Sequence, residues 1–559
     1  MTVTFDPKTS STPPEPTVRQ PWDRRRVTLV VTLGVLTAAA VLSFPTARVS
    51  PGALVSGLSD VRNLLVRMFP PHFDRFDTTL RLAFETFWIA LAGTALAVVC
   101  AFPLAFLRAR NTAPHPALRS LANGVIVTCR AVPDLIFALI FVRALSIGVL
   151  PGVLAIGIHS IGMIGKLFTD AIERIDEGAL EAVAATGSGR LQQLSSGVVP
   201  QVVPSFVATA IYRLDINIRG SVILGYVGAG GIGQVLKSNF GKLDYRNALG
   251  IVIVIMVIVI ACELASSAVR RAVLGRDAMV NVAASLPVHR GVSAPRFDPD
   301  AVRPQLTLER VRLRAFAVVT AALVAVAFWR IEVSPSKIWH AVPKIWQTFL
   351  KFLPPDFTTA RSEMITGIRE TIAIALVATA LGALAAVPVG LFAARNVAPS
   401  RAVYFVVRYL LVIFRSVPEL LYAIVFVSAV GLGPFAGALS LSIFTFGFVA
   451  KLVADATEEI RSGPREAVLA TGASRSQETA SAVIAQAMPA IVSALLYSID
   501  INIRAATVLG IVGAGGIGFL LNNSIRGLNY QTTGALLIAV FAMVWAIEQL
   551  SAWVRKQLG

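Results

Sequence analysis

The stretch DINIRGSVILGYVGAGGIG, Asp215 to Gly233, admits two incompatible readings. Its GAGGIG ending matches the G-x-G-x-x-G pattern of a dinucleotide-binding loop. It also holds Asp215 and Arg219 inside an otherwise apolar run, and it recurs as DINIRAATVLGIVGAGGIG at Asp500 to Gly518. A dinucleotide fingerprint needs a strand before its first glycine, a helix after it and an acidic residue about 20 positions on. Here an apolar run of helical length precedes the glycines, and no βαβ unit follows. The cofactor reading fails, and the stretch is read as part of a membrane-spanning unit.

Composition agrees. Of 559 residues, 55% are hydrophobic and 15% charged, whereas soluble chains carry about 25% charged residues. The net charge of +18 is assigned to membrane-flanking loops rather than to nucleic-acid binding, because Lys and Arg gather in cytoplasmic loops. Cys100, Cys129 and Cys262 lie in apolar runs without metal or disulfide spacing and are read as packing residues.

A shift of 285 residues aligns the chain with itself. Glu85-Thr86 falls on Glu370-Thr371, Arg130-Ala-Val-Pro-Asp134 on Arg415-Ser-Val-Pro-Glu419, and Tyr212 on Tyr497. Between 214–233 and 499–518, 14 of 20 positions are identical. Each copy offers six apolar segments, near 27–45, 79–107, 121–147, 149–170, 198–226 and 247–268, then 313–331, 364–393, 402–430, 432–455, 483–511 and 532–554. About 20 apolar residues cross a bilayer core of ~30 Å, so an all-α integral membrane protein of twelve transmembrane helices is expected. Lys and Arg are denser in the loops on the side of the termini, which places both termini in the cytoplasm. Six is an even number, so the second copy enters the membrane in the same direction as the first. The repeats are parallel, related by an approximate two-fold axis along the membrane normal.

The expected boundaries are a disordered cytoplasmic tail at 1–26, a first repeat at 27–270 with its core at 75–270, a cytoplasmic linker at 271–312, and a second repeat at 313–559 with its core at 360–555. The basic-then-apolar start at Arg24 is read as an uncleaved helix, because a similar segment opens the second copy mid-chain.

Several residues stand out within this frame. Tyr212, Asp215 and Arg219 share a helix face near mid-membrane, and Tyr497, Asp500 and Arg504 repeat it. Charge at that depth costs ~3 kcal/mol unless it is paired or faces a wet cavity. Each Asp–Arg pair therefore either holds helices in register or offers Arg219 and Arg504 to an anion in transit. Gly228, Gly230, Gly231 and Gly233, with Gly513, Gly515, Gly516 and Gly518, stand at the outer end of the fifth span. They end the helix in a re-entrant turn, either fixed or moving as an outer gate. Arg130 and Arg415 precede prolines in the third span and either contact lipid and carbonyl groups or line an inner vestibule. The segments 63–74 and 348–358 share aromatic–Pro–Pro character and read as interfacial, or as a docking face.

Between the fourth and fifth spans lie EAVAATGSGRLQQLSSGVVP, Glu181 to Pro200, and EAVLATGASRSQETASAVIAQAMP, Glu466 to Pro489. Here the chain resembles permease subunits of bacterial ABC importers, whose loop runs E-A-A, three residues, Gly, nine residues, I-x-L-P. Glu181, Ala182, Gly187, Val199 and Pro200 fit, as do Glu466, Ala467 and Gly472. Val183 and Val468 depart from the motif, and Ala485 stands where Pro200 has its counterpart, so the second helix is expected to begin differently.

The resemblance implies the type I importer (MetI-like) permease fold. It also implies that Glu181, Ala182, Gly187, Glu466, Ala467 and Gly472 couple the spans to a separate ATPase. No G-x-x-x-x-G-K-[ST], zinc spacing or nucleophile–base set occurs. No enzyme, metal or bound cofactor is expected in this chain, with ATP and Mg on the partners. Those partners would be two copies of a cytoplasmic ABC ATPase and an extracytoplasmic phosphonate- or phosphate-binding protein, with membrane lipid around the spans and no nucleic acid. The phrases LDINIR…VLGxVGAGGIG and R[AS]VP[DE] are similar to the phosphonate-importer branch, with phosphate and phosphite as close alternatives. This chain looks like two such permeases fused, with one copy per transporter in a bacterial cytoplasmic membrane. An ion-coupled secondary carrier of a small anion, an ABC permease for another small solute, and a non-transporting scaffold are the competing readings.

Overall fold

The structure, a computed structural model, describes residues 24–274, 308–332 and 335–558. Nearly all of the tail expected at 1–26, and the linker residues 275–307, lie outside the described residues. Eleven helices form the first half: α1 Arg24–Ser43, α2 Pro51–Met68, α3 Phe76–Arg108, α4 Pro116–Ala131, α5 Asp134–Leu145, α6 Val149–Ile172, α7 Glu177–Ala185, α8 Arg190–Gln193, α9 Val199–Tyr226, α10 Ile232–Gly241 and α11 Tyr245–Leu274. The second half repeats them: α12 Leu308–Arg330, α13 Pro335–Leu350, α14 Arg361–Phe392, α15 Arg401–Ser416, α16 Glu419–Val430, α17 Pro434–Glu458, α18 Ser462–Ala470, α19 Arg475–Glu478, α20 Ile484–Gly510, α21 Gly516–Arg526 and α22 Tyr530–Leu558.

Eight of these stretches are long and apolar enough to cross a membrane: α3, α6, α8 running through a π-turn into α9, α11, and their four counterparts. Two further apolar helices, Val27–Ser43 and Ala315–Arg330, are shorter. The third segment of each half is not the single unbroken helix expected from the sequence. It is a pair of helices bent by 88° between α4 and α5, and by 78° between α15 and α16. The cause is local. Pro133 and Pro418 supply no N–H, and each forces the residue before it out of the helical region; Val132 and Val417 are extended, with ψ of 122° and 119°. The expectation that α20 begins differently from α9 is also corrected. α9 starts at Val199 and α20 at Ile484, 285 residues apart, each after a π-turn (Leu194–Val198 and Thr479–Val483). The π-turn sets the start, and the proline is not required for it.

The core of each half is α3 against α6, or α14 against α17, with α9 or α20 beside them. Small residues dominate these contacts: Ala90, Ala97, Ala101 and Ala105 on α3 are fully buried. In lipid there is little hydrophobic drive between helices, so close backbone approach through small residues supplies the packing.

The opening helices of each half cross over. α1 packs on α14 and α2 on α16, while α12 packs on α3 and α13 on α5. Ala47 and Val49, after α1, are buried against Ala373, Val377 and Ala438 of the second half. Each half's first two helices therefore brace the other half's core.

Candidate functional site

α7 and α18 are short, Ala-rich and without a buried side chain. Asp176 caps α7, accepting from Gly178 N at 3.0 Å, which suits the positive end of a helix. Gly187 and Gly472, with φ of +75° and +81°, stop the two helices. Glu181, Ala182, Glu466 and Ala467 are exposed. The two helices are fastened differently. Leu180 of α7 packs against Gly197 of the π-turn, where an added Cβ would stand 3.2 Å from the Leu180 backbone. On α18 the matching residue is Arg465. Its Nε donates to buried Glu478 at 2.6 Å, and its Nη2 donates to the Asn396 carbonyl at 2.9 Å.

Further along the bundle, the halves meet through reciprocal charges. Arg130 of α4 pairs with Glu548 of α22. Arg415 of α15 pairs with Glu263 of α11 at 3.5 Å. Glu263 and Glu548 are themselves 285 residues apart, so each pair is the other's image across the axis between the halves. The sequence singled out Arg130 and Arg415 but not their partners; a lone acid at the same depth in both sixth spans was the available signal.

Asp215 and Arg219 pair at 2.5 Å, and Asp500 and Arg504 at 2.7 Å. These pairs also reach across. Arg219 Nη1 donates to the Arg415 carbonyl at 3.2 Å, and Arg504 lies 3.8 Å from Glu548. One chain of charge thus runs Arg130–Glu548–Arg504–Asp500. Tyr212 and Tyr497, about one turn closer to the α7 end on the same helices, remain 41% and 42% exposed while the two aspartates are buried. The Asp–Arg level is thus more deeply buried than the tyrosines about one turn away.

At the opposite end, Gly228, Gly230, Gly231, Gly513, Gly515 and Gly516 all have positive φ, and the chain turns back as α10 and α21. Gly233 and Gly518 are needed for another reason: a Cβ on them would stand 2.2 Å from the Val222 carbonyl and 1.8 Å from that of Thr507. Each turn is clamped by α3 or α14. Glu85 and Thr86 accept from Gly231 N and Ile232 N, both at 2.9 Å. Glu370 and Thr371 accept from Gly516 N and Ile517 N at 3.0 and 2.9 Å. These four residues satisfy the free N–H groups that begin α10 and α21. They were visible as aligned pairs in the sequence, without a role.

The aromatic–Pro–Pro segments are tied to the starts of α11 and α22. Asp74 N donates to Asn247 Oδ1 at 3.1 Å, and Asp356 N to the Gln531 carbonyl at 3.1 Å. Among the described residues no cluster of potential metal ligands occurs.

The family model described as "Binding-protein-dependent transport system inner membrane component" matches residues 93–276 and again 386–558. The chain is 47% identical over 508 residues to the phosphate-import permease protein PhnE of Mycolicibacterium smegmatis, covering 91% of each chain. It is 42% identical over 218 residues to the phosphite transport system permease protein PtxC of Stutzerimonas stutzeri, covering 39% of this chain and 79% of that protein. A putative cryptic phosphonate transport system permease protein, PhnE2 of Escherichia coli, is 43% identical over 118 residues, 21% of this chain and 97% of that protein.

Proposed function

Because the chain belongs to the family of binding-protein-dependent transport system inner membrane components, matched once in each half, we propose that it carries a phosphonate, or the related oxyanions phosphate and phosphite, into the cell. One chain supplies both halves of the path. It is a membrane subunit of an importer and works with a separate ATPase and a binding protein; two ATPase copies, one beneath each half, fit the two exposed helices. The observation that carries this reading is that pair, α7 and α18, two glycine-stopped helices without a buried side chain, exposed among the described residues at Glu181, Ala182, Glu466 and Ala467.

Both termini and both of these helices are placed on the cytoplasmic side. Closure of the ATPase dimer on ATP brings α7 and α18 together. That movement reaches α9 and α20 through the π-turns, opens the glycine-turn end and admits substrate; hydrolysis returns the path to the cytoplasm. In this cycle the Arg130–Glu548 and Arg415–Glu263 pairs set how the halves meet on the inner side. The Glu85- and Glu370-clamped turns move with α3 and α14 at the outer side. Glu181, Ala182, Gly187, Glu466, Ala467 and Gly472 contact the ATPase.

Proteoliposomes holding this chain, the ATPase and the binding protein test the reading. ATP-dependent uptake of methylphosphonate, phosphate or phosphite is expected. Uptake that persists without the ATPase identifies an ion-coupled carrier instead.

A further inference from the structure

Arg219 and Arg504 are each neutralised by an aspartate on their own helix, but a third arginine on α9 is not. Arg213 is 6% exposed. Its Nε donates to Ser160 Oγ of α6 at 3.1 Å. Its two terminal nitrogens have no hydrogen-bond partner, and no carboxylate lies within 4 Å of it, among the described residues. Asp134, at the head of α5, packs beside α9 at Gly220 but stands outside that range.

The second half shows what the fold needs at this place. Around Arg213, Asn217 Nδ2 donates to Thr94 Oγ1 at 2.8 Å and to Ser160 Oγ at 3.0 Å. In the second half Asn502 Nδ2 donates to Thr379 Oγ1 at 2.9 Å and to Thr445 Oγ1 at 2.8 Å. The same polar knot thus forms in both halves, but the residue matching Arg213 is Ser498, also buried. The arginine is not required to build the helix contact. A guanidinium at membrane depth whose nearest acid, Asp134, acts on it only from beyond ion-pair distance is costly, and it persists where something compensates it.

His159, beside Ser160, is a second one-sided feature, since Phe444 matches it. Its Nδ1 lies 2.9 Å from the Val132 carbonyl. A carbonyl only accepts, so the proton is on Nδ1, and Nε2 is left with a lone pair for an O–H donor.

We propose that Arg213 is the anion-binding residue of a single, off-axis oxyanion site in the first half, with its two free nitrogens forking onto the oxygens of a phosphonate or phosphate and His159 Nε2 accepting from a protonated oxygen. This inference rests on the reading of the chain as an oxyanion permease. Arginine suits it because its planar fork matches two oxygens of a tetrahedral anion. Two permeases fused in one chain can differ at one position; a pair of identical subunits would present the arginine twice.

The test compares the wild-type complex with R213S, which installs the residue the second half uses, and R213Q, which keeps a donor for Ser160. Uptake of labelled phosphate and methylphosphonate is measured beside ATP hydrolysis stimulated by the loaded binding protein. Uptake is expected to fall at least about tenfold in both variants, the loss of a charge-assisted hydrogen bond, with stimulated hydrolysis within about twofold of wild type. Wild-type uptake in either variant overturns the site. So does parallel loss of uptake and hydrolysis in both, which marks Arg213 as a packing residue. A wild-type complex that moves neither anion overturns the transport reading itself, and the site falls with it.

Discussion

The two halves share a backbone plan and differ in how it is fastened. Helix α7 is held by an apolar contact, Leu180 on Gly197, and capped by Asp176. Helix α18 has no side-chain cap and is held by the Arg465–Glu478 ion pair. At the interface, Glu548 faces both Arg130 and Arg504, whereas Glu263 has, among the described residues, one ion-pair partner within 4 Å, Arg415. Equivalent positions thus do the same geometric task with different chemistry. An interaction that breaks the repeat is therefore replaceable as far as the fold is concerned, and one that repeats is part of the fold's requirement.

The sharpest way to break that comparison is at the interface acids. Glu548→Gln removes the acid that pairs with half-buried Arg130 and lies near Arg504, and is expected to lower stability by about 3 kcal/mol, the low end for removing one member of a buried pair. Glu263→Gln is expected to cost about half as much. Thermal unfolding of the purified chain measures both. Equal losses from the two would mean that the branched contact of Glu548 carries no extra weight.

The fastening of α18 gives the next effect. Arg465→Leu alone strands Glu478, which is 6% exposed at its side chain, and is expected to cost about 2–3 kcal/mol. Arg465→Leu with Glu478→Gln rebuilds the first half's own pair, Leu180 and Gln193. It is expected to recover to within about 1 kcal/mol of wild type, because apolar replacement of a buried ion pair is often neutral. A double variant no better than the single one would show that the halves are not interchangeable here. The smallest effect is at the cap: Asp176→Ala should loosen α7 by about 1 kcal/mol, read as faster amide exchange over Glu177–Ala185, while Arg461→Ala leaves α18 unchanged.

Much of this was legible in the chain itself. The apolar segments, the 285-residue repeat and the Asp215–Arg219 and Asp500–Arg504 pairs are local patterns, since i,i+4 residues meet on any helix. The glycine turn was legible because positive φ favours glycine. The break at Pro133 and Pro418 was written in the same way but was passed over within an apolar run long enough for one span. Arg213 was legible only as a departure, a charged residue where the other copy has Ser498.

What sequence alone determined is therefore the membrane class, the duplication, the shared direction of the copies and the placement of charge along each helix. These follow from hydrophobicity, period and charge within windows of a few turns. Only the tertiary structure decided which helices cross between the halves, and that Arg130 meets Glu548 across 418 residues of chain. No local pattern encodes a partner at that separation, because the choice is made by shape and burial when the two bundles pack together.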